Sequence, residues 1–242
     1  ISGTGIATGS VITAITPGVS ITLSKATTAA VTVGLTLTGA QSVTLSKNLS
    51  SGATGTVTTY TLGTLTLAGG NLLSTGRDAT FLDQSFLGTT FNAGASTVRA
   101  DVGATVLYIE GTNLLALGAL NRNAGATVDF TLPGGAVSAT NAITTTTPNN
   151  AAGIIGSWTT VGGSSFATAT AGGQLVGLAD ASYNTDTWAT NKVVDVTASG
   201  TIADAATAHA LRFNRAAATT LTLAGTATLE GPAILVTAAV GA

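Results

Sequence analysis

The chain has 242 residues, a formal net charge of −2 and 7% charged residues, against about 25% in ordinary soluble domains. The nearly neutral charge argues against nucleic-acid binding, which needs a basic surface, and no segment approaches the roughly 18 to 20 apolar residues of a membrane-spanning helix. Cysteine is absent, which excludes disulfides and thiolate metal sites. Because 45% of the residues are hydrophobic, the chain has enough apolar surface for a core, and a folded protein is favoured over disorder.

A short motif that alternates leucine with a small residue and ends at glycine is repeated along the chain; we call it the leucine motif. It occurs at residues 35–39, 65–69 and 221–225. This alternation predicts a short half-buried β-strand followed by a turn. The strand candidates in the first 70 residues are 11–15, 19–23, 31–37, 43–45, 57–62 and 65–67.

A second motif, asparagine followed by small residues, first occurs near residue 91. It occurs at residues 91–98 and 121–128, with a weaker copy at 213–221. Asparagine before small residues is typical of turns, because asparagine tolerates left-handed backbone angles. Asn92 and Asn123 are 31 positions apart, close to the spacing between the first two leucine motifs. The agreement of the two spacings predicts a structural repeat.

The amino-acid composition of the chain changes after residue 150. Residues 153–189 carry both tryptophans and read as a β excursion packed on the main body, or as a small subdomain. We therefore divide the chain into repeats at 1–150, this aromatic-containing segment at 151–190, and continuing repeats at 191–242. Residues 202–210 are rich in alanine, so a helix and a strand compete there.

These patterns predict an all-β fold with two alternative packings. In a parallel β-solenoid, successive coils stack at about 4.8 Å. In a β-sandwich, strands pair through antiparallel hairpins, which favour Asn-Gly or Asp-Gly turns. The chain contains neither dipeptide. We favour the solenoid and keep the sandwich as the alternative.

Two stretches resemble autotransporter-associated β-strand repeat proteins. They are NRNAGATVDF at residues 121–130, followed by GIIGSWTTVG at 153–162, and LRFN at 211–214, leading into LTLAG at 221–225. The family consists of long bacterial surface or secreted proteins, and the resemblance implies a right-handed parallel β-helix without catalytic residues.

From this resemblance and the composition we expect a non-enzymatic structural or adhesive segment of a bacterial extracellular or cell-surface protein, such as an autotransporter adhesin or fibre. The expected partners are neighbouring coils, copies of the chain itself, and host or surface glycans. The alternatives are a self-assembling filament subunit and a β-helical polysaccharide-binding or polysaccharide-cleaving protein. The chain starts at Ile1 with neither an initiator methionine nor a signal peptide, so we expect a mature product or an excised fragment.

The candidate binding residues are aromatic. Trp158, Trp188 and Tyr183 are candidates for a glycan-binding patch, because exposed aromatic rings stack on sugars; packing in the core is the competing interpretation. Asp180 and Asp186 flank Tyr183 as acidic loop residues for which solvated carboxylates are favoured over a cation site. We expect no metal and no cofactor.

Paired carboxylates with basic neighbours are the remaining candidates for chemistry, because polysaccharide-cleaving enzymes use such pairs. A ladder of surface charges explains the same residues without an active site, and the single histidine, His209, is expected to be structural. The charged candidates are Arg77, Asp78, Asp83, Arg99, Asp101, Arg122 and Asp129.

Overall fold

The computed structural model describes residues 7–9, 12–16, 20–25, 42–45, 49–50, 60–75, 82–101 and 113–240. The chain divides into two compact units, Ile1–Gln41 and Ser42–Ala242. The described strands of the first unit are β1, Ile12–Thr16, and β2, Ser20–Leu23. They pair antiparallel as a hairpin, which the sequence did not predict. The strand predicted at residues 31–37 lies outside the described residues.

The second unit is built almost wholly from short strands. Its strands up to residue 144 are β3 Ser42–Leu45, β4 Leu49–Ser50, β5 Tyr60–Leu67, β6 Asn71–Thr75, β7 Leu82–Phe91, β8 Gly94–Asp101, β9 Asn113–Ala116, β10 Ala119–Arg122, β11 Ala126–Thr131 and β12 Asn141–Thr144. The later strands are β13 Thr159–Val161, β14 Ser165–Ala169, β15 Leu175–Gly177, β16 Asn184–Thr185, β17 Val193–Val196, β18 Gly200–Ile202, β19 Ala206–Ala208, β20 Ala210–Phe213, β21 Leu221–Leu223, β22 Ala227–Leu229 and β23 Ile234–Val236.

Most strands of the second unit pair in parallel with a strand from an earlier pass of the chain. One sheet has the order β3-β5-β7-β9-β12, with β10 also paired to β7, and a second has the order β4-β6-β8-β11-β13-β14-β15. Ser42 lies opposite Thr64, and Gly94 lies opposite Ala126. Parallel neighbours cannot be joined by a tight hairpin. Accordingly, the consecutive strands β5, β6, β7 and β8 alternate between the two sheets.

The parallel pattern ends at β13. This strand pairs in parallel with β11, but β13 with β14 and β14 with β15 pair antiparallel. Between strands of the described residues, antiparallel pairing is confined to this segment and to the β1–β2 hairpin. The three strands fall within the segment predicted at 151–190, and they extend the second sheet. The domain boundaries at 150 and 190 stay predictions.

The last part of the chain forms parallel pairs again. A four-stranded sheet has the order β16-β17-β20-β23, and two further pairs are β18-β21 and β19-β22. Val194 lies opposite Leu211, and Leu211 lies opposite Ile234. The three strands therefore place their residues in register, one above another.

Alternation along the strands positions the core. Leu65 and Leu67 are fully buried, while Thr66 between them is half-buried, as the leucine motif predicts. The largest buried cluster extends over residues 65–175, and two smaller clusters lie in the later part of the chain. Each cluster is lined by side chains from several sequence-distant strands, so the parallel pairing and the core depend on each other.

Helix is nearly absent from the described residues. The single short 3-10 helix spans Asp180–Ser182. Residues 202–210 lie in and between the strands β18, β19 and β20, so the extended interpretation is confirmed and the helix is wrong. In the described part of the chain, no helix is both long enough and apolar enough to cross a membrane.

Candidate functional site

The repeated asparagine turn is a stack of two equivalent turns. The backbone N–H of Asn123 donates to the Phe91 carbonyl at 2.8 Å, and that of Asn92 donates to the Leu67 carbonyl at 2.7 Å. The side-chain Nδ2 of Asn123 also donates to Oδ1 of Asn92 at 2.6 Å. The structural repeat that the spacing predicts is therefore present at these turns.

Glycine lets neighbouring turns of this stack approach closely. Gly94 has φ +125°, and a Cβ atom added to it would lie 2.8 Å from the Cα of Gly69 on the preceding turn. A real Cβ does not approach a backbone carbon this closely, and L-residues rarely adopt that φ. The turn therefore requires glycine at this position on both counts.

A buried ionic cluster is the main polar feature of the later strands. Arg212 on β20 lies directly opposite Asp195 on β17, and its side chain is 1% exposed. Its Nε donates to Asp195 Oδ1 at 2.9 Å and its Nη2 to Oδ2 at 3.0 Å, a bidentate pair. Nη2 also donates to Oδ1 of Asp180 at 2.9 Å. The guanidinium is thereby paired with two carboxylates.

Two further groups complete the surroundings of Arg212. Its Nη1 lies 3.5 Å from the carbonyl oxygen of Ser164, and its guanidinium carbon lies 3.7 Å from the ring centroid of Tyr183. The Tyr183 hydroxyl accepts a hydrogen bond from the backbone N–H of Phe166 at 3.1 Å. We call Arg212, Asp195, Asp180 and Tyr183 the arginine cluster.

The electrostatics of the arginine cluster favour a permanently charged guanidinium. Burial alone would lower the pKa of Arg212, but the hydrogen bonds that it donates to Asp195 and Asp180 outweigh burial and raise the pKa. Burial is also the main reason that the pKa of Tyr183 lies above its ordinary value of 10.0, despite the hydrogen bond from Phe166 and the charge of Arg212. Neither group is poised for proton transfer near neutral pH. The cluster is arranged to hold segments together.

The arginine cluster joins three parts of the chain that are far apart in sequence. Asp180 belongs to the 3-10 helix, Ser164 precedes β14, and Asp195 with Arg212 lies on the parallel strands. Sequence analysis missed this cluster. The available signal was one charged residue in the middle of each of two apolar strands, VVDV and ALRF, with opposite signs.

The structure does not bring the three predicted aromatic residues together. Trp158 packs against the largest cluster, with its ring centroid 5.5 Å from that of Phe91. Tyr183 is 6% exposed and belongs to the second cluster, and Trp188 packs against the third. Each ring therefore covers a different part of the core, and a shared glycan-binding patch stays a prediction.

Two described members of the charged set, Arg122 and Asp129, make hydrogen bonds within the fold. Arg122 donates from Nε to the carbonyl of Ala126 at 3.1 Å. Asp129 accepts from Oγ1 of Thr160 at 2.6 Å and from the backbone N–H of Gly163 at 2.8 Å. Arg99 is exposed on β8. Arg77 and Asp78, with the side chains of Asp83 and Asp101, lie outside the described part.

Asp180 and Asp186, the two acidic residues that flank Tyr183, contact different groups. Asp180 pairs with Arg212, whereas Asp186 accepts hydrogen bonds from Thr197 and from the backbone N–H of Ala198. Partial burial opposes ionisation of Asp186, but these hydrogen bonds prevail and lower its pKa below 3.8. Throughout the residues that the structure describes, no three acidic or histidine side chains are grouped as metal ligands.

His209 takes part in local contacts between segments. Its Nε2 lies 3.2 Å from Nδ2 of Asn150, and its Nδ1 lies 3.9 Å from Oε2 of Glu230. Its backbone N–H donates to the carbonyl of Lys192 at 2.7 Å. The side chain is 15% exposed, which agrees with the expected structural role.

An uncharged cavity of about 560 Å³ opens between two loops. Residues 145–149 form one wall and residues 169–173 the other. Asn149 connects the walls, because its side chain donates to the carbonyl of Ala169 and accepts from its N–H, both at 2.8 Å. The lining offers hydroxyl, amide and backbone groups without a charged side chain, which suits a neutral polar ligand better than an ion.

Comparisons of the chain with protein-family models, with curated proteins and with solved structures find no match.

Proposed function

We propose that this chain is a non-enzymatic structural or adhesive segment of a bacterial extracellular surface protein, in which the second unit winds as a parallel β-solenoid. One pass of the chain around the solenoid is called a rung. The observation that carries this proposal is the in-register parallel pairing of strands from successive passes, as in Val194 over Leu211 and Gly94 over Ala126.

The stacked rungs explain how such a segment would bear load. Each parallel ladder joins one rung to the next through backbone hydrogen bonds, and buried columns of apolar side chains run along the stack. The stacked side chains of Asn92 and Asn123 extend this ladder at the turns. A protein of this kind projects its turns and outer faces toward a surface while its core keeps them in fixed positions.

The non-enzymatic part of the proposal is supported by how charged groups are used. The arginine cluster pairs Arg212 with two carboxylates, and Asp129 accepts hydrogen bonds from a neighbouring strand and turn. In these contacts the charged side chains hold segments of the chain together. Turnover of a polysaccharide by the purified chain, abolished by Asp83→Asn or Asp101→Asn, would overturn this part.

The bacterial extracellular location is supported by the sequence alone. The low charge, the absence of cysteine and the abundance of small residues suit secreted repeat proteins, and the stretches around residues 121–130 and 211–214 resemble autotransporter-associated repeats. Immunolabelling of intact and permeabilised source cells with an antibody against the chain tests this location. Labelling only after permeabilisation would contradict it.

The solenoid predicts that the chain tolerates loss of a whole rung but not of half of one. Deleting residues 92–122 removes 31 positions and joins Phe91 to Asn123. Phe91 lies opposite Arg122, and Asn123 stacks on Asn92, so the junction replaces one residue pair by its equivalent in the stack. We expect this variant to keep its β-sheet circular dichroism and to unfold cooperatively. Deleting residues 107–122 is the matched control, since it removes 16 positions, about half of that length, and should abolish cooperative unfolding. Equal damage by both deletions would contradict the solenoid.

Adhesion is tested by binding to a glycan array and to immobilised host-surface material. We expect Trp158→Ala and Trp188→Ala, assayed separately because the two rings lie in different clusters, to show which region carries binding. Circular dichroism controls for folding. Loss of binding only in variants that have also lost their fold would reject these rings as ligand contacts.

A further inference from the structure

The uncharged cavity of about 560 Å³ is a gap inside an antiparallel ladder. At one end the backbone N–H of Thr145 donates to the carbonyl of Gly173 at 2.9 Å. At the other end the side chain of Asn149 makes its two bonds to Ala169. The second contact lies four positions forward on one wall and four positions back on the other, so the register is the same at both ends. We call the gap between these contacts the slot.

The slot is open in its middle, where three opposite pairs of residues make no hydrogen bond to each other. One of these residues is Pro148, which has no N–H to donate. Several backbone groups of the lining have no hydrogen-bond partner within the part of the chain that the structure describes. They are the N–H groups of Asn149, Ala171 and Gly172 and the carbonyl groups of Thr146, Thr147, Ala171 and Gly172. The slot therefore offers donors and acceptors to water or to a ligand.

The walls of the slot are held in place by contacts outside the gap. Gly173 has φ +79°, and a Cβ atom added to it would lie 2.6 Å from the carbonyl oxygen of Thr145, so the close approach at this end requires glycine. The Thr145 hydroxyl donates to the Gly118 carbonyl at 2.8 Å, and the Thr147 hydroxyl accepts from the Leu120 N–H at 2.7 Å. These bonds fasten one wall to an earlier part of the chain, so the slot is preformed.

The lining selects a compact, uncharged ligand. It contains no charged side chain, and a charged ligand would lose hydration there without a counter-charge. An extended peptide needs a continuous open strand edge, whereas the slot is three residue pairs long and bonded at both ends. The volume falls within the range of about 300 to 1,000 Å³ that is usual for small-molecule sites. Threonine hydroxyls alternate in the lining with the apolar surfaces of Pro148, Ala169 and Ala171.

We propose that the slot binds one uncharged sugar unit, such as a hexose at the end of a glycan. Its hydroxyl groups replace the water on the unpaired N–H and carbonyl groups, while its C–H groups pack against Pro148 and Ala171. A hydroxyl both donates and accepts, so it reproduces the hydrogen bonds of the water that it displaces. This inference rests on the adhesive part of the proposed function and names a site and a ligand class for it.

Nuclear magnetic resonance titration of the nitrogen-15-labelled full chain with glucose, galactose and mannose tests the proposal. We expect at least one of these sugars to bind with a dissociation constant on the order of 1 mM, as for other ligands of this size. The largest amide shifts should fall at Asn149, Ala171 and Gly172. Glucuronic acid is the charged control and should bind at least fivefold more weakly. Equal or tighter binding of glucuronic acid, or largest shifts around Trp158 or Trp188, would overturn the proposal.

Two substitutions test the slot from inside, each with a matched control. Thr146→Val removes an exposed hydroxyl that makes no hydrogen bond within the described residues, and should weaken sugar binding at least fivefold. Ala171→Arg places a long charged side chain in the slot and should abolish binding. Thr127→Val and Ala217→Arg make the same changes at exposed positions outside the lining and should alter binding less than twofold. Circular dichroism checks the folding of each variant, and equal effects of slot and control variants would reject the site.

Failure of the slot and failure of the proposed function give different results. A wild-type chain that binds immobilised host-surface material but none of the three hexoses keeps its adhesive role and rejects the slot. A chain that binds neither rejects both. The rung deletion tests the solenoid independently of any ligand, because its readout is cooperative unfolding.

Discussion

Asn123 hydrogen-bonds through its side chain to the side chain of Asn92, 31 positions earlier, at 2.6 Å. The backbone of each asparagine also bonds to the pass of chain below it. A motif that is repeated in sequence is therefore stacked in space. The contact gives the first prediction.

Replacing Asn123 with alanine removes this side-chain bond between turns. We expect Asn123→Ala to lower the free energy of unfolding by about 1 kcal/mol, the usual net contribution of one hydrogen bond. Urea denaturation measures the loss. Asn121→Ala, at an exposed position on the preceding strand β10, should change the free energy of unfolding by less than about 0.5 kcal/mol. Equal losses in the two variants would show that the side-chain hydrogen bond between Asn123 and Asn92 does not stabilise the fold.

Gly94→Ala should be clearly more destabilising than an alanine placed at an open turn. The added Cβ would lie 2.8 Å from the Cα of Gly69, in addition to the strain of φ +125°. We expect a loss of at least about 2 kcal/mol. Gly153→Ala is the control, because its φ is +78° but nothing lies within 4 Å of its Cβ; its cost should be about 1 kcal/mol. Thermal and chemical denaturation provide the comparison.

Removing the guanidinium from the arginine cluster should destabilise the folded chain. Arg212→Met leaves Asp195, whose side chain is 18% exposed, without its bidentate partner, and we expect a loss of about 3 kcal/mol. Asp180→Ala should cost under about 1 kcal/mol, since that carboxylate is 83% exposed. The exposed Arg215→Met controls for loss of a positive charge. A loss at Arg212→Met no larger than at Arg215→Met would show that the cluster contributes little.

The raised pKa of Tyr183 makes stability depend on alkaline pH. Because burial raises the pKa in the folded state above 10.0, the folded chain holds this proton more tightly than the unfolded chain. The resulting stabilisation is complete below pH 10 and is lost as the pH rises through the folded-state pKa. We expect the difference in unfolding free energy between wild type and Tyr183→Phe to shrink above pH 10.

Ultraviolet absorbance gives an independent measurement of the same group. The chain has three tyrosines, and the tyrosinate signal missing from Tyr183→Phe should titrate above the signals that remain. If the missing signal titrates together with the others, or below them, the burial of the Tyr183 hydroxyl is contradicted.

The sequence was sufficient to predict the local strand pattern and the stacked turns. Leucines at alternate positions predict the buried faces of Leu65 and Leu67, and the spacing of Asn92 and Asn123 predicts the stack. Both signals are periodic, so they can be read within a single chain without knowing which strands pair. The all-β class follows from them.

Features that depend on the partner strand could not be predicted in the same way. Asp195 and Arg212 look like two isolated charges until β17 and β20 are known to pair, and 17 positions separate them. The β1–β2 hairpin was missed for a simpler reason. Three residues, Pro17, Gly18 and Val19, separate its strands, and Pro-Gly is a turn signal other than the Asn-Gly and Asp-Gly pairs typical of two-residue hairpins.

The distance along the chain between paired residues varies from one place to another. Ser42 and Thr64 are 22 positions apart, whereas Gly94 and Ala126 are 32 apart, yet both pairs are direct neighbours in parallel sheets. A parallel ladder constrains its strands and leaves the length of the connections free. We therefore expect the connections of this protein to accept inserted foreign peptides. Insertions into several connections would then display several sequences side by side along one chain.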